Sequence, residues 1–371
     1  MAASSTYPNC ERAAALLALA LFASCAYAAP PLQHLQVPQG FHVAIYSDQV
    51  PDARKMAVGD KGTVFVGSSD AGKVYALTDA DHDGRAEKVR VIASGLKEPS
   101  GVAFHDGALY VSAISRILKF PDIEDHLDAP PQPQVITDKL PDRTHANGRF
   151  IAFGPDGKLY VSIGAPCNVC EKPDFGKIIR MNPDGSDMQD VALGVRNSAG
   201  FDWQPGSHKL WFTDNGRDEL GDDIPSDELN RVDRLGENFG FPYCHEGDIP
   251  DPDLGKGHSC KDYAPPAFKP GAHVATLGMR FYTGTMFPRE YRGDIFIAEH
   301  GSWNRSSKVG YRVVVVRVQG DKATGQQPFL TGFLDGQNTL GRPADVQPLP
   351  DGSLLVSDDR NGAIYRVTYG K

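Results

Sequence analysis

Cysteine is scarce in this chain, six in 371 residues, and two of the six, Cys10 and Cys25, stand within the first 28. The other four, Cys167, Cys170, Cys244 and Cys260, allow two bridges in an oxidising compartment, with three possible connectivities. Residues 167–170 (CNVC) have redox or metal spacing, but Glu171 rather than histidine follows, which excludes a c-type haem site. No βαβ pattern surrounds them, which excludes a thioredoxin-like role, and the pair reads as a structural loop bridge. Basic residues are outnumbered, 38 against 47 acidic, and the net charge of −9 argues against nucleic acid or an anionic membrane as partner. Beyond the N-terminus no segment is long and apolar enough to cross a bilayer. Sustained helical periodicity is also missing.

The N-terminus carries a recognisable signal. Arg12 precedes the apolar run 13–23, and Ala26-Tyr27-Ala28 follows as an A-x-A cleavage site. Residues 1–28 therefore read as an export signal, and a periplasmic or secreted protein is expected. Residues 22–25 (FASC) offer a weaker lipoprotein box in which Cys25 would be lipidated. Glycine (39) and proline (28) are plentiful, as suits many short strands and turns.

One pattern recurs six times. A turn, often Asp-Gly, precedes a short apolar strand at 62–67 (GTVFVG), 107–112 (GALYVS), 157–162 (GKLYVS), 208–213 (HKLWFT), 293–298 (GDIFIA) and 352–357 (GSLLVS). A second strand follows each copy: 73–77, 116–120, 177–181, 228–232, 312–318 and 363–367. The first strand of each pair starts 45, 50, 51, 85 and 59 residues after the one before. Such spacing predicts an all-β, six-bladed β-propeller of four-stranded antiparallel blades spanning 29–371. The long interval predicts an insertion at about 236–281. The spare strand 41–46 (FHVAIY) is expected to close the ring against the last blade.

Polar residues recur just ahead of the repeated strands: Arg54, His145 with Asn147, Arg196 with Asn197, and Arg342. In a propeller these links line one mouth of the central channel. Three arginines, a histidine and two amides at one mouth suit a small polyanion.

Residues 144–164 (THANGRFIAFGPDGKLYVSIG) resemble the histidine segment of the PQQ-dependent soluble sugar dehydrogenases, and 194–200 (GVRNSAG) resemble their R-N signature. Residues 214–217 (DNGR), 227–230 (DELN) and 237–242 (ENFGFP) are similar to the metal loop and the strand after it; 342–346 (RPADV) are similar to the late arginine motif. Residues 299–305 (EHGSWNR) resemble the sorbosone-dehydrogenase branch. The resemblance implies oxidation of an aldose or related carbonyl sugar with PQQ and Ca²⁺. His145 is then the general base, and Arg196, Asn197 and Arg342 contact the cofactor. Gly216 and Arg217 would hold calcium through backbone carbonyls, beside Asn215. Relatives carry glutamine and proline where Asn215 and Arg217 stand, and a lysine in the region of His300. Arg54, His300 and Trp303 complete the expected cofactor contacts, the indole being a candidate for the quinone face. With no haem motif in the chain, a separate electron acceptor, a cytochrome or a quinone, is implied.

Residues 79–84 (DADHDG) resemble the start of a calcium loop, but Arg90 stands where an EF-hand needs glutamate. They read as a turn that could carry a weak structural cation. The acidic run at Asp218, Glu219, Asp222 and Asp223 reads as a solvated loop near the metal segment. The competing functions are a calcium-dependent lactonase-like hydrolase, which would need carboxylates around an axial metal, and a non-catalytic binding propeller.

Overall fold

The computed structural model describes residues 30–142 and 148–370. Six antiparallel sheets follow one another along the chain as the blades of a propeller. Blade one consists of Ala53–Val58, Val64–Ser68, Val74–Thr78 and Lys88–Ala93, from the inside outward. Blade two is Val102–His105, Ala108–Ala113, Arg116–Phe120 and Gln134–Thr137; blade three is Ile151–Phe153, Leu159–Ile163, Lys177–Met181 and Gln189–Leu193. Blade four is Gly200–Trp203, Leu210–Asp214, Ser226–Arg231 and Phe268–Ala272; blade five is Thr276–Phe281, Ile295–Glu299, Arg312–Gln319 and Lys322–Leu330. Blade six takes Pro343–Pro348, Leu354–Asp358 and Ala363–Tyr369 from the C-terminus and its outer strand, Phe41–Ser47, from the N-terminus. That strand pairs antiparallel with Ala363–Tyr369 from Phe41↔Tyr369 to Ser47↔Ile364.

The two strands read from each sequence repeat are the second and third strands of a blade. Their apolar pattern has a direct cause. Each second strand is buried along its whole length, because a neighbouring blade covers both of its faces. Among the described residues six apolar clusters form, each joining two adjacent blades. Val64, Val66, Leu355 and Ile364 join blades one and six; Phe65, Val74, Leu109 and Val111 join blades one and two. Large flat side chains such as Trp211, Phe212 and Phe296 fill the wedge between blades.

Inner strands were not visible as repeats because they face the channel with polar groups, as in Ala53–Val58 (ARKMAV) and Gly200–Trp203 (GFDW). Short turns join them to the second strands. In blade two Asp106 (φ 48°) and Gly107 (φ 73°) form a two-residue turn in the left-handed region, which glycine enters without cost.

Of residues 236–281, the segments 268–272 and 276–281 are propeller strands, so the excursion from blade four runs over 232–267. It adds a short parallel strand, Glu237–Asn238, to the outer edge of blade three. The Cys244–Cys260 bridge ties it internally, and Cys167–Cys170 forms the other bridge. No helix among the described residues is long and apolar enough to cross a membrane. The proposed export signal, residues 1–28, lies outside the described residues.

Candidate active site

The links between outer and inner strands gather at one mouth of the channel, around a cavity of about 400 Å³. Arg54, Arg196, Asn197, Asn215, Gly216, His300, Trp303 and Arg342, all singled out from sequence, line this one cavity. His145 and Asn147 lie outside the described residues; Gly148, Arg149 and Phe150, which follow them, line the same wall.

Buried carboxylates fix the backbone that carries these groups. Asp214, at the end of blade four's second strand, accepts the Arg196 N–H at 2.9 Å on one oxygen and the Asn197 N–H at 2.6 Å on the other. Asp358, in the same position of blade six, accepts the Arg342 N–H at 2.9 Å. Asp227 accepts the N–H groups of Gly216 (3.0 Å) and Thr276 (3.2 Å). Blades four and six thus place an acid at the same position, the end of the second strand, behind the Arg196 and Arg342 links. Burial raises Asp214 well above the usual carboxylate range, helped by the facing Glu228, and raises Asp227 to about 6.

Blades one and six meet at a buried charge cluster. Arg54 Nη1 donates to Asp359 Oδ2 at 2.5 Å, and His300 Nε2 lies 2.8 Å from the same oxygen. Burial lowers His300 to about 4, against the pull of the Asp359 carboxylate beside it. Burial opposes the charge of Asp359, but His300 and Arg54 outweigh it and hold the group below the usual range. Arg342 donates to the carbonyls of His300 and Gly301, both at 3.3 Å, and its guanidinium lies 5.9 Å from the Tyr311 ring. Lys55 lies buried on the cavity floor, its Nζ donating to the Ala344 carbonyl at 2.8 Å; burial lowers it to about 7.

On the opposite side runs the loop 215–218. Asn215 Nδ2 donates to the Thr276 carbonyl at 2.6 Å. A Cβ on Gly216 would stand 3.0 Å from Pro225 and 3.1 Å from the Ser226 carbonyl, so a side chain here would have to push those neighbours back by a few tenths of an ångström. Arg217 turns away from the cavity. Its buried guanidinium pairs with Asp251, and with Asp253 at 3.2 Å, inside the excursion of blade four. Only its main chain is left for a ligand on the cavity side. Trp303 stands at the lip, 69% exposed.

The model of the glucose/sorbosone dehydrogenase family matches residues 122–366. The chain belongs to the glucose/sorbosone dehydrogenase family. It is 36% identical over 354 residues to an uncharacterized protein of Borreliella burgdorferi, covering 91% of each chain. It is 28% identical over 254 residues, 62% of each chain, to the aldose sugar dehydrogenase YliI of Escherichia coli. The holo form of the pyranose dehydrogenase PQQ domain from Coprinopsis cinerea shares its fold at a TM-score of 0.76 and 17% identity, over 90% of this chain and 97% of that one.

Within this member of the glucose/sorbosone dehydrogenase family, sequence reading missed Lys55, which lines the cavity, and Asp359, which pairs with Arg54 and His300. Lys55 carried a signal, since it directly follows Arg54 in an inner strand. Asp359 carried none, because its partner Arg54 lies 305 residues away in the chain. The 79–84 turn joins the third and outer strands of blade one at the surface. With Glu87 just beyond it, the turn brings one carboxylate oxygen each of Asp79, Asp81, Asp83 and Glu87 within 4.8 Å of one another, away from the cavity.

Proposed function

We propose that this protein is an exported, PQQ- and calcium-dependent sugar dehydrogenase that oxidises an aldose or a related carbonyl sugar. The observation that carries the reading is the convergence of Arg54, Arg196 and Arg342 on one cavity at the channel mouth. A flat tricarboxylate needs planar, bidentate cations around its rim, and guanidinium groups desolvated by burial bind carboxylates more strongly than exposed ones. Burial does lower Arg342. Arg196 and Asn197 would bind the quinone edge, and Arg54, Arg342 and His300 would orient the carboxylates. The main-chain oxygens of Gly216 and Arg217, with Asn215 beside them, would supply neutral oxygens of the kind calcium accepts.

When bound, PQQ supplies the quinone that takes up the substrate hydride, and calcium supplies Lewis-acid polarisation. His145 would take the proton of the sugar hydroxyl as general base. Arg196 stabilises negative charge where it develops. Trp303 at the lip offers an apolar face to the bound molecule. Electrons then pass to a separate acceptor, a cytochrome or a quinone. The two bridges accord with export to the periplasm or beyond.

A lactonase-like hydrolase would gather carboxylates around an axial metal. Among the described residues the group of acids close enough to hold a metal is the surface turn at Asp79, not the cavity. The experiment is reconstitution of apo-protein with PQQ and calcium, followed by dye reduction across a panel of aldoses and sorbosone. Activity that needs both additions supports the reading. His145→Ala should lower kcat by about 10²–10⁴-fold. Lactone hydrolysis without PQQ, or an inert holo-protein, would replace it.

A further inference from the structure

The Cys167–Cys170 bridge takes no part in the chemistry above, yet Asn168, between its two cysteines, bonds Arg196, which lines the cavity. It closes a tight loop around Asn168, in a connection between the second and third strands of blade three that contains no strand or helix. Asn168 uses both its main chain and its side chain on the site. Its carbonyl accepts Arg196 Nε–H at 2.9 Å, and its Oδ1 accepts Arg196 Nη2 at 3.0 Å. The same Oδ1 accepts the Asp218 N–H at 2.8 Å, while Nδ2 donates to the Asp218 carbonyl at 3.1 Å. Asp218 Oδ2 in turn pairs with Arg196 at 2.9 Å. Three segments distant in sequence therefore meet in a closed set of bonds: the bridged loop of blade three, the arginine link into blade four, and the residue that follows loop 215–217.

We propose that Asn168, held in place by the Cys167–Cys170 bridge, is a positioning residue that sets Arg196 and the 215–218 loop in register for the cofactor and its metal. The inference rests on the reading of the cavity as a PQQ site. Arg196 has several rotatable bonds, and two acceptors from one residue, with Asp218 as a third, fix its guanidinium plane before any ligand arrives. Asn168 also grips Asp218 through both its N–H and its carbonyl, so the loop that offers Gly216 and Arg217 cannot shift without the arginine. Asparagine is required because one oxygen must serve two donors while the amide nitrogen donates to a carbonyl; aspartate keeps the first role and loses the second. The bridge supplies what backbone pairing supplies elsewhere: a fixed place for a residue in an otherwise irregular connection.

The test compares wild type, Asn168→Ala, Asn168→Asp and the double variant Cys167→Ser/Cys170→Ser. Two measurements are made on each full chain: an equilibrium PQQ titration in calcium, and amide hydrogen exchange of segment 214–219 in the apo-protein. Loss of such a supporting partner is expected to weaken PQQ binding by about 10- to 100-fold in the alanine and double-serine variants, with Asn168→Asp between them and wild type. Exchange in 214–219 should quicken in the same order while exchange in the second strands of the blades stays unchanged. Should Asn168→Ala misfold, seen as faster exchange everywhere, the double-serine variant decides. Wild-type PQQ affinity in both variants would overturn the inference. If wild type itself fails to bind PQQ, the cofactor reading falls, and unchanged exchange in 214–219 would then remove the positioning role as well.

Discussion

Arg342 commits its guanidinium to two backbone carbonyls, which neutralise none of its charge, and burial lowers its pKa by disfavouring that charge. An anion that reaches it therefore gains a charge-assisted bond worth about 1.5–3 kcal/mol. Arg342→Ala should weaken PQQ binding by about 10- to 100-fold in a fluorescence titration, and Arg342→Lys should restore only part of it, because a point charge does not reproduce the fork. Glu299 shows the opposite stress. Burial raises it to about 7, even though Arg312 donates to it at 2.7 Å and Gln326 at 3.0 Å. Its folded-state pKa exceeds the unfolded value near 4.5, so the fold binds a proton that the unfolded chain releases, and stability falls as pH rises from about 5 to 7. Glu299→Gln removes that dependence. Denaturant unfolding at pH 8 should find the variant more stable than wild type by on the order of 2–3 kcal/mol, with the difference vanishing near pH 5.

The element that depends most on distant residues is the closing strand. Phe41 is 6% exposed and packs edge-on against Phe287, Tyr291, Phe329 and Tyr369, at centroid separations of 4.8 to 5.3 Å. Phe41→Ala should destabilise the protein by about 3–5 kcal/mol in urea unfolding, because it opens a cavity and loosens the one seam joining the two chain ends. The strand was legible in sequence as a spare apolar run, although it is only half buried. The second strands were legible because burial on both faces demands apolar residues at nearly every position, and the third strands were found by their place after them; blade four's, Ser226–Arg231 (SDELNR), is buried yet largely polar. Inner strands obey another rule, since side chains such as Lys55 and Asp345 must meet the channel, and their alternation is blurred. Outer strands, as in Lys88–Ala93, are half exposed and carry little pattern. The extent of the excursion was misjudged because residues 268–281 read as part of a Pro/Gly-rich insertion.

Across the whole molecule, six blade interfaces make a rigid ring, and a rigid ring holds loops from distant parts of the sequence at fixed separations. That is why Arg54, Arg196 and Arg342 could be proposed together: each lies at the start of its blade's inner strand or in the link that leads into it. What lay outside that regularity was hidden. The Arg54–Asp359–His300 cluster joins partners separated by most of the chain, and Asn168 acts through a loop that resembles none in the other blades. The bridge was visible as a cysteine pair, but its contact with Arg196 depends on how two irregular loops pack. If the channel mouth binds a tricarboxylate quinone, a spectrophotometric titration of calcium-loaded apo-protein with PQQ should separate wild type from the double variant Arg196→Ala/Arg342→Ala. Wild type should bind saturably at one PQQ per chain and the variant not at all over the same range; equal binding by both proteins, or none by wild type, would show that the mouth is not such a site.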